Sequence, residues 1–190
     1  MRKVIIVTGG IASGKSYLLE LLEELGYPIM QSDKVVKAIM QQHCFLKKIK
    51  KVFGREDIDL KKEIERDSKV LDIIENITYP KIKIIRHKFI ETSHRNNVVP
   101  AIEIPLFFEK NISETLLEYE VKIISAICGK ELQIIRAKER NQPISDGLLN
   151  IVLSRQIEDK ERLARSTFIV YTFANKGVVK KQLMGILNSI

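Results

Sequence analysis

The stretch VTGGIASGKSYLL, Val7–Leu19, follows an apolar β-branched run, RKVII (2–6), and leads into a leucine-rich helical pattern. Val4–Val7 reads as a strand buried on both faces. A helix is expected from about Lys15 to Leu25, with Leu18, Leu21, Leu22 and Leu25 on one face and Gly26 as its stop. Between strand and helix stands Gly9-(four residues)-Gly14-Lys15-Ser16, the phosphate-binding loop pattern, complete and correctly placed. Small residues let the backbone curl so that successive N–H groups point inward around phosphate oxygens, and the helix N-terminus adds partial positive charge. A plain glycine turn would also join strand to helix, but it does not call for a Lys-Ser pair here. The expectation is a nucleoside triphosphate cradled by Gly9, Gly10, Ile11, Ala12, Ser13 and Gly14. Lys15 would reach the β- and γ-phosphates, and Ser16 would offer its hydroxyl to Mg²⁺.

Outward from the loop, YPIMQ (27–31) predicts a second strand, and Asp33 opens a helical pattern through Val36, Ile39 and Met40. Asp33 has two readings. A carboxylate just past a strand's carboxyl end, where open α/β sheets place ligands, can take a proton from an attacking hydroxyl. Asp is equally at home as a plain helix N-cap. From His43 to about Ser93 the chain is charged and helical in period, and Pro80 suits a first helical turn. The lysines of KKIKK (47–51) read as a solvated helix face or as a basic wall beside an anionic substrate. Strand patterns return at VVPAIEI (98–104), YEVKIISAI (119–127) and STFIVYT (166–172), although Pro100 cannot donate to a ladder. GKELQIIRAKERN (129–141), SDGLLNIVLSRQ (145–156) and NKGVVKKQLMGILNSI (175–190) read as helices. Strands alternating with helices give an α/β class with a mostly parallel sheet.

Composition narrows the function. The chain has 190 residues, enough for one sizeable domain, with 45% hydrophobic and 29% charged residues. No apolar run approaches the roughly 18 residues a membrane helix needs, so no membrane partner is expected. The N-terminal apolar run ends at Val7 in glycines, unlike a signal peptide. Cys44 and Cys128, far apart, read as reduced thiols of a cytoplasmic protein. The net charge of +8 suits an anionic partner. With 6% aromatics and no zinc-finger spacing, nucleic acid is not the expected one. A signalling GTPase is also disfavoured: no Asp is followed three residues later by Gly, and the Asn-Lys-Gly at Asn175 ends in Val178. A small-molecule kinase fits better. Arg136 and Arg140, at i and i+4, put two guanidiniums on one helical face, either as a lid that clamps transferring phosphate or as an exposed basic face.

TGGIASGKS (8–16), GYPIMQSD (26–33), IPLFFE (104–109) and LQIIRAKERN (132–141), in this order and spacing, resemble the dephospho-coenzyme A kinase family over nearly the whole chain. The loop alone is generic; Ile104-Pro105-Leu106-Phe107-Phe108-Glu109 is the specific part. The resemblance implies a P-loop kinase fold: a mostly parallel five-stranded sheet flanked by helices, with a helical substrate-binding insert and a lid. It divides the single unit into a core (1–32, 96–130 and 165–190), a substrate domain (about 33–95) and a lid (about 131–164). It implies ATP-dependent phosphorylation of the ribose 3′-hydroxyl of dephospho-CoA with Mg²⁺, in the cytoplasm, by a chain expected to be monomeric. Asp33 then matches the family's catalytic Asp. Arg140 matches the lid arginine that meets ATP phosphates, Arg136 its neighbour, and Gln156 the Gln of the next helix. Thr172 and Phe173 fall near adenine, while Tyr79, Glu103, Pro105, Leu106 and Phe108 join Asp33 on the substrate side. The sequence departs from the family in five places, one of them a shorter insert after Phe53-Gly54. Glu103 replaces an Asp, Tyr79-Pro80 replaces His-Pro, and Thr167 replaces a late Asp. Ile58-Asp59-Leu60 lacks an arginine for which Lys61 or Lys62 can stand in. A kinase of the same fold for another small hydroxyl compound or nucleotide, and a silent ATP-binding regulatory module, are the competing readings.

Overall fold

β1 (Lys3–Gly9) is the middle strand of a five-stranded sheet in the order β2-β3-β1-β4-β5, completed by β2 (Ile29–Gln31), β3 (Ala101–Glu103), β4 (Glu120–Ile127) and β5 (Phe168–Tyr171). The computed structural model describes residues 2–139 and 144–190. Every pairing is parallel. The period-2 alternation of β1 explains the two layers. Ile5 and Val7 pack on one face with Leu18 and Leu22 of α1 (Lys15–Glu24) and with Val179 and Leu183 of α9 (Lys176–Leu187). Val4 and Ile6 pack on the other with Ile102, Ile104, Phe107 and Ile90. Both faces are covered, as a parallel sheet requires. Ile102 is fully buried at the centre of the second layer. Ile102→Ala is expected to cost about 3 kcal/mol, the scale for truncating a fully buried aliphatic side chain, measured as a drop in denaturant midpoint at unchanged m-value.

The chain leaves the sheet after β2 and returns at β3 through four helices: α2 (Ser32–Met40), α3 (His43–Phe53), α4 (Leu60–Arg66) and α5 (Lys69–Arg95). They bury a small core of their own around Phe45, Ile49, Ile64, Val70 and Ile74. After β4 come α6 (Lys130–Lys138), α7 (Asp146–Ser154) and α8 (Asp159–Arg165). Leu148 and Ile151 of α7 close over the core of the four-helix excursion. Leu149 packs with Ala12 and Ala137 against the loop after β1. No helix among the described residues is long and apolar enough to cross a membrane.

Some local expectations are corrected and others are borne out. Pro80 does not open a helix; it lies inside the 27-residue α5. Its missing N–H removes one internal bond and its ring disfavours a straight helix. The helix holds because it is anchored on both sides, by Val70 and Ile74 in the small core and by Ile90 under the sheet. Leu25 stands just past α1 and is exposed rather than on the apolar face. β3 begins after Pro100, whose carbonyl accepts from Ile5 N–H, so the missing donor costs the ladder nothing. The lysines of 47–51 are exposed on α3, the solvated-face reading.

The two thiols have opposite surroundings. Cys44 is exposed, and Lys81 Nζ donates to its Sγ at 2.8 Å, which holds the thiol below its ordinary range. Cys128 is buried, and desolvation pushes it up. A lowered value means more thiolate at neutral pH, and thiolate is the reactive form. Iodoacetamide is therefore expected to label Cys44 first, with Cys128 following only on unfolding; equal rates, read by mass spectrometry, would contradict this.

Candidate active site

The carboxyl ends of the strands converge on one edge. Register places Val7, Gln31 and Glu103 side by side, and Gly9 beside Ala126. The loop after β1 is held there by contacts only small residues permit. A Cβ on Gly9 would lie 2.6 Å from the Ala126 carbonyl oxygen. Gly14 has φ 92 and opens α1 from the left-handed region. The loop is also pinned from outside. Thr172 Oγ1 lies 2.5 Å from the Ser13 carbonyl, and Arg136 Nη2 donates to the Thr172 carbonyl at 2.9 Å. The Gln156 side chain accepts from Ile11 N–H at 3.1 Å. Lys15 is buried and donates to the Gly9 and Gly10 carbonyls at 3.1 and 2.7 Å, so its ammonium lies within the curl of the loop.

A cleft of about 890 Å³ opens at this edge. One wall is the loop from Ile11 to Ser16, with Arg136, Thr172 and Lys176. The lining also takes in Asp33, Lys34 and Lys37 of α2, Leu71 and Glu75 of α5, and Glu103, Pro105 and Leu106 at and after β3. Val152, Arg155 and Gln156, at the end of α7, also line it. Among the described residues six cations line the cleft (Lys15, Lys34, Lys37, Arg136, Arg155 and Lys176) against three carboxylates, Asp33, Glu75 and Glu103. The excess favours a polyanion.

Asp33 is exposed into this cleft as the second residue of α2. The N-cap is Gln31, with no side-chain cap bond, so the capping reading of Asp33 is corrected. The turn is fixed instead by the buried Ser32 hydroxyl, which donates to the Glu103 carbonyl. Glu103 is itself buried.

Most expected site residues meet in the cleft: Ile11–Ser16, Asp33, Glu103, Pro105, Leu106, Arg136 and Thr172. Gly9 and Gly10 shape the loop from behind it, with Gly10 against Gln133. Three lie elsewhere. Tyr79 packs into the sheet-side core, and Phe108 is buried with Arg165 above its ring at 4.7 Å. Phe173 is exposed beside Tyr171. Both core placements follow from the apolar period of their segments, which serves packing before ligands. Arg140 lies outside the described residues. Lys34, Lys37, Glu75, Arg155 and Lys176 escaped the sequence reading. The i, i+3 spacing of Lys34 and Lys37 just after Asp33 was the one available signal.

The family model described as dephospho-CoA kinase matches residues 3–178. The dephospho-CoA kinase of Campylobacter jejuni (strain NCTC 11168) is 31% identical over 182 residues, covering 90% of this chain and 88% of that one. Among solved structures, dephospho-CoA kinase from Campylobacter jejuni superposes with a TM-score of 0.69 at 25% identity, covering 100% of this chain and 97% of that one. The structure of TT1252 from Thermus thermophilus reaches a TM-score of 0.78 at 21% identity, covering 100% and 98%, and speaks to the fold alone.

Proposed function

The chain belongs to the dephospho-CoA kinase family, and from that premise we propose that it transfers the γ-phosphoryl group of ATP to the ribose 3′-hydroxyl of dephospho-CoA, the final step of coenzyme A synthesis. One observation carries the reading: a complete phosphate loop and the carboxylate of Asp33 line the same cleft. In this reading the loop amides and the N-terminus of α1 hold the β-phosphate. Lys15 exchanges its loop carbonyls for phosphate oxygens, and Arg136 holds the Thr172 backbone beside the nucleotide. Arg140 keeps the role implied by its place in the motif. Asp33 accepts the proton of the 3′-hydroxyl as the new O–P bond forms. Most of the acceleration comes from positioning and charge neutralisation, because phosphoryl transfer asks for little covalent chemistry from the protein.

Mg²⁺ fits the donors present. Ser16 lines the cleft at the start of α1 and offers a hydroxyl, a hard oxygen donor of the kind this ion takes beside phosphates. Bound there, it would neutralise phosphate charge. Glu103, Pro105 and Leu106 form the acceptor wall, with the buried Glu103 in place of the usual Asp. The same reading divides the chain into a nucleotide core, a helical acceptor domain (about 33–95) and a lid (about 131–164). The small apolar cluster around Phe45, Ile49, Ile64 and Ile74 supports a distinct helical part, although the second half of α5 packs into the sheet-side core. It also places the reaction in the cytoplasm, where thiols stay reduced; both cysteines are free.

The test is an ADP-release assay on the purified protein with ATP, Mg²⁺ and dephospho-CoA, the product identified by mass. A product one phosphoryl group heavier than dephospho-CoA is expected, with little turnover of a sugar acid or a deoxynucleoside. Preference for either of those acceptors would overturn the assignment.

A further inference from the structure

Arg155 caps the C-terminus of α7 and lines the cleft on the acceptor side, beside Leu71 and Glu75. Its Nη2 donates to Asp72 Oδ1 at 2.8 Å and to Glu75 Oε2 at 2.9 Å, both on α5. The same Glu75 oxygen lies 2.7 Å from Lys110 Nζ. Glu75 is therefore shared between two cations, and its hold on either is divided. Both contacts use one nitrogen of the guanidinium, a planar group with five N–H donors. On the same acceptor side α2 brings Lys34 and Lys37 to the cleft. Asp72 and Glu75 belong to α5 of the helical excursion, so Arg155 is tied to that part of the cleft, while the adjacent Gln156 accepts from Ile11 N–H of the loop.

We propose that Arg155 binds the phosphate groups of the acceptor, and that Asp72 and Glu75 hold its side chain at the cleft until they arrive. This rests on the kinase reading above. A guanidinium fork takes phosphate oxygens in pairs, which a lysine cannot reproduce. The competing role is a clasp, in which Arg155 only fastens the end of α7 to α5. The two roles separate cleanly. A phosphate ligand matters only for acceptors that carry phosphate, and its loss is not mimicked by removing the carboxylates. A clasp matters for every acceptor, and its two halves are equivalent.

The experiment compares dephospho-CoA with adenosine, which keeps the ribose 3′-hydroxyl but has no phosphate. Arg155→Ala is expected to lower kcat/KM for dephospho-CoA about tenfold or more, mainly through KM, while KM for ATP and the slow adenosine reaction stay within about twofold. Arg155→Lys, which keeps the charge but loses the fork, should show a smaller loss with dephospho-CoA alone. Asp72→Asn/Glu75→Gln, which loosens the side chain but keeps the guanidinium, should raise KM for dephospho-CoA by less than Arg155→Ala does. Equal losses on both acceptors, a carboxylate variant that reproduces Arg155→Ala, or no loss at all would each overturn the proposal while leaving the reaction assignment standing. A wild-type protein that does not phosphorylate dephospho-CoA would overturn both.

Discussion

Lys15→Ala is expected to fold like the wild type and to turn over at least about a hundredfold more slowly, the scale seen when a preorganised charge-stabilising group is removed. The Lys15 ammonium bonds the Gly9 and Gly10 carbonyls of its own loop. That placement presets the cation where phosphate charge builds up. The loss should therefore fall on kcat as well as on KM for ATP, because the phosphoryl oxygens become more demanding toward the transition state. The fold does not depend on the ammonium. Gly9, Gly14 and Thr172 hold the loop through backbone contacts of their own, and Leu18 and Leu22 hold α1 against the sheet. Steady-state kinetics with a melting curve check both halves. A mutant that turns over at the wild-type rate would mean the loop serves something other than a triphosphate.

The second large effect belongs to Asp33→Asn. A ribose hydroxyl is a poor nucleophile at neutral pH, and a positioned carboxylate that accepts its proton is worth on the order of a hundredfold or more. Asn keeps the size and loses the charge. Asp33 sits in the first turn of α2 without capping it, so stability should fall only by the loss of a favourable helix-dipole interaction, about 0.3–1 kcal/mol. The expected variant melts close to the wild type, still binds ATP, and turns over dephospho-CoA on the order of a hundredfold or more slower. If it keeps nearly full activity, Asp33 is a first-turn acid and nothing more. Glu103, which lines the same cleft, is then the next carboxylate to replace.

The parts of this protein that can be read in its sequence are those set by local chemistry. Glycines and a Lys-Ser pair between a β-branched run and a leucine stripe mark the loop, and apolar runs after turn residues mark each strand. Asp33 was findable because the carboxyl end of a strand is itself a location. What escaped depends on distant partners. Pro80 reads as a helix start until two separate cores are seen to grip the helix on either side of it. The helix from Asp159 to Arg165 is short and charged, and its buried Arg162 makes sense only beside Glu109, 3.3 Å away in a loop 53 residues earlier. Arg155 reads as an ordinary surface residue until α5 is placed across from it. Tyr79 and Phe108 run the other way: the motif suggests ligand contacts, while packing buries Phe108 and lays Tyr79 against the same core.

The four-helix excursion leaves the sheet and rejoins it on adjacent strands. Gln31, its last residue before departure, stands in register with Glu103, and Ala101 N–H bonds the Pro28 carbonyl. β2 and β3 are thus fastened to each other along their length, independently of what lies between them. Closing a longer or shorter segment across such a pair costs little, since the entropy grows only with the logarithm of length, about 0.6 kcal/mol per doubling. In evolutionary terms this is a socket. The segment between the two strands can be trimmed, extended or exchanged while the phosphate loop, at the end of the strand beside β3, keeps its shape.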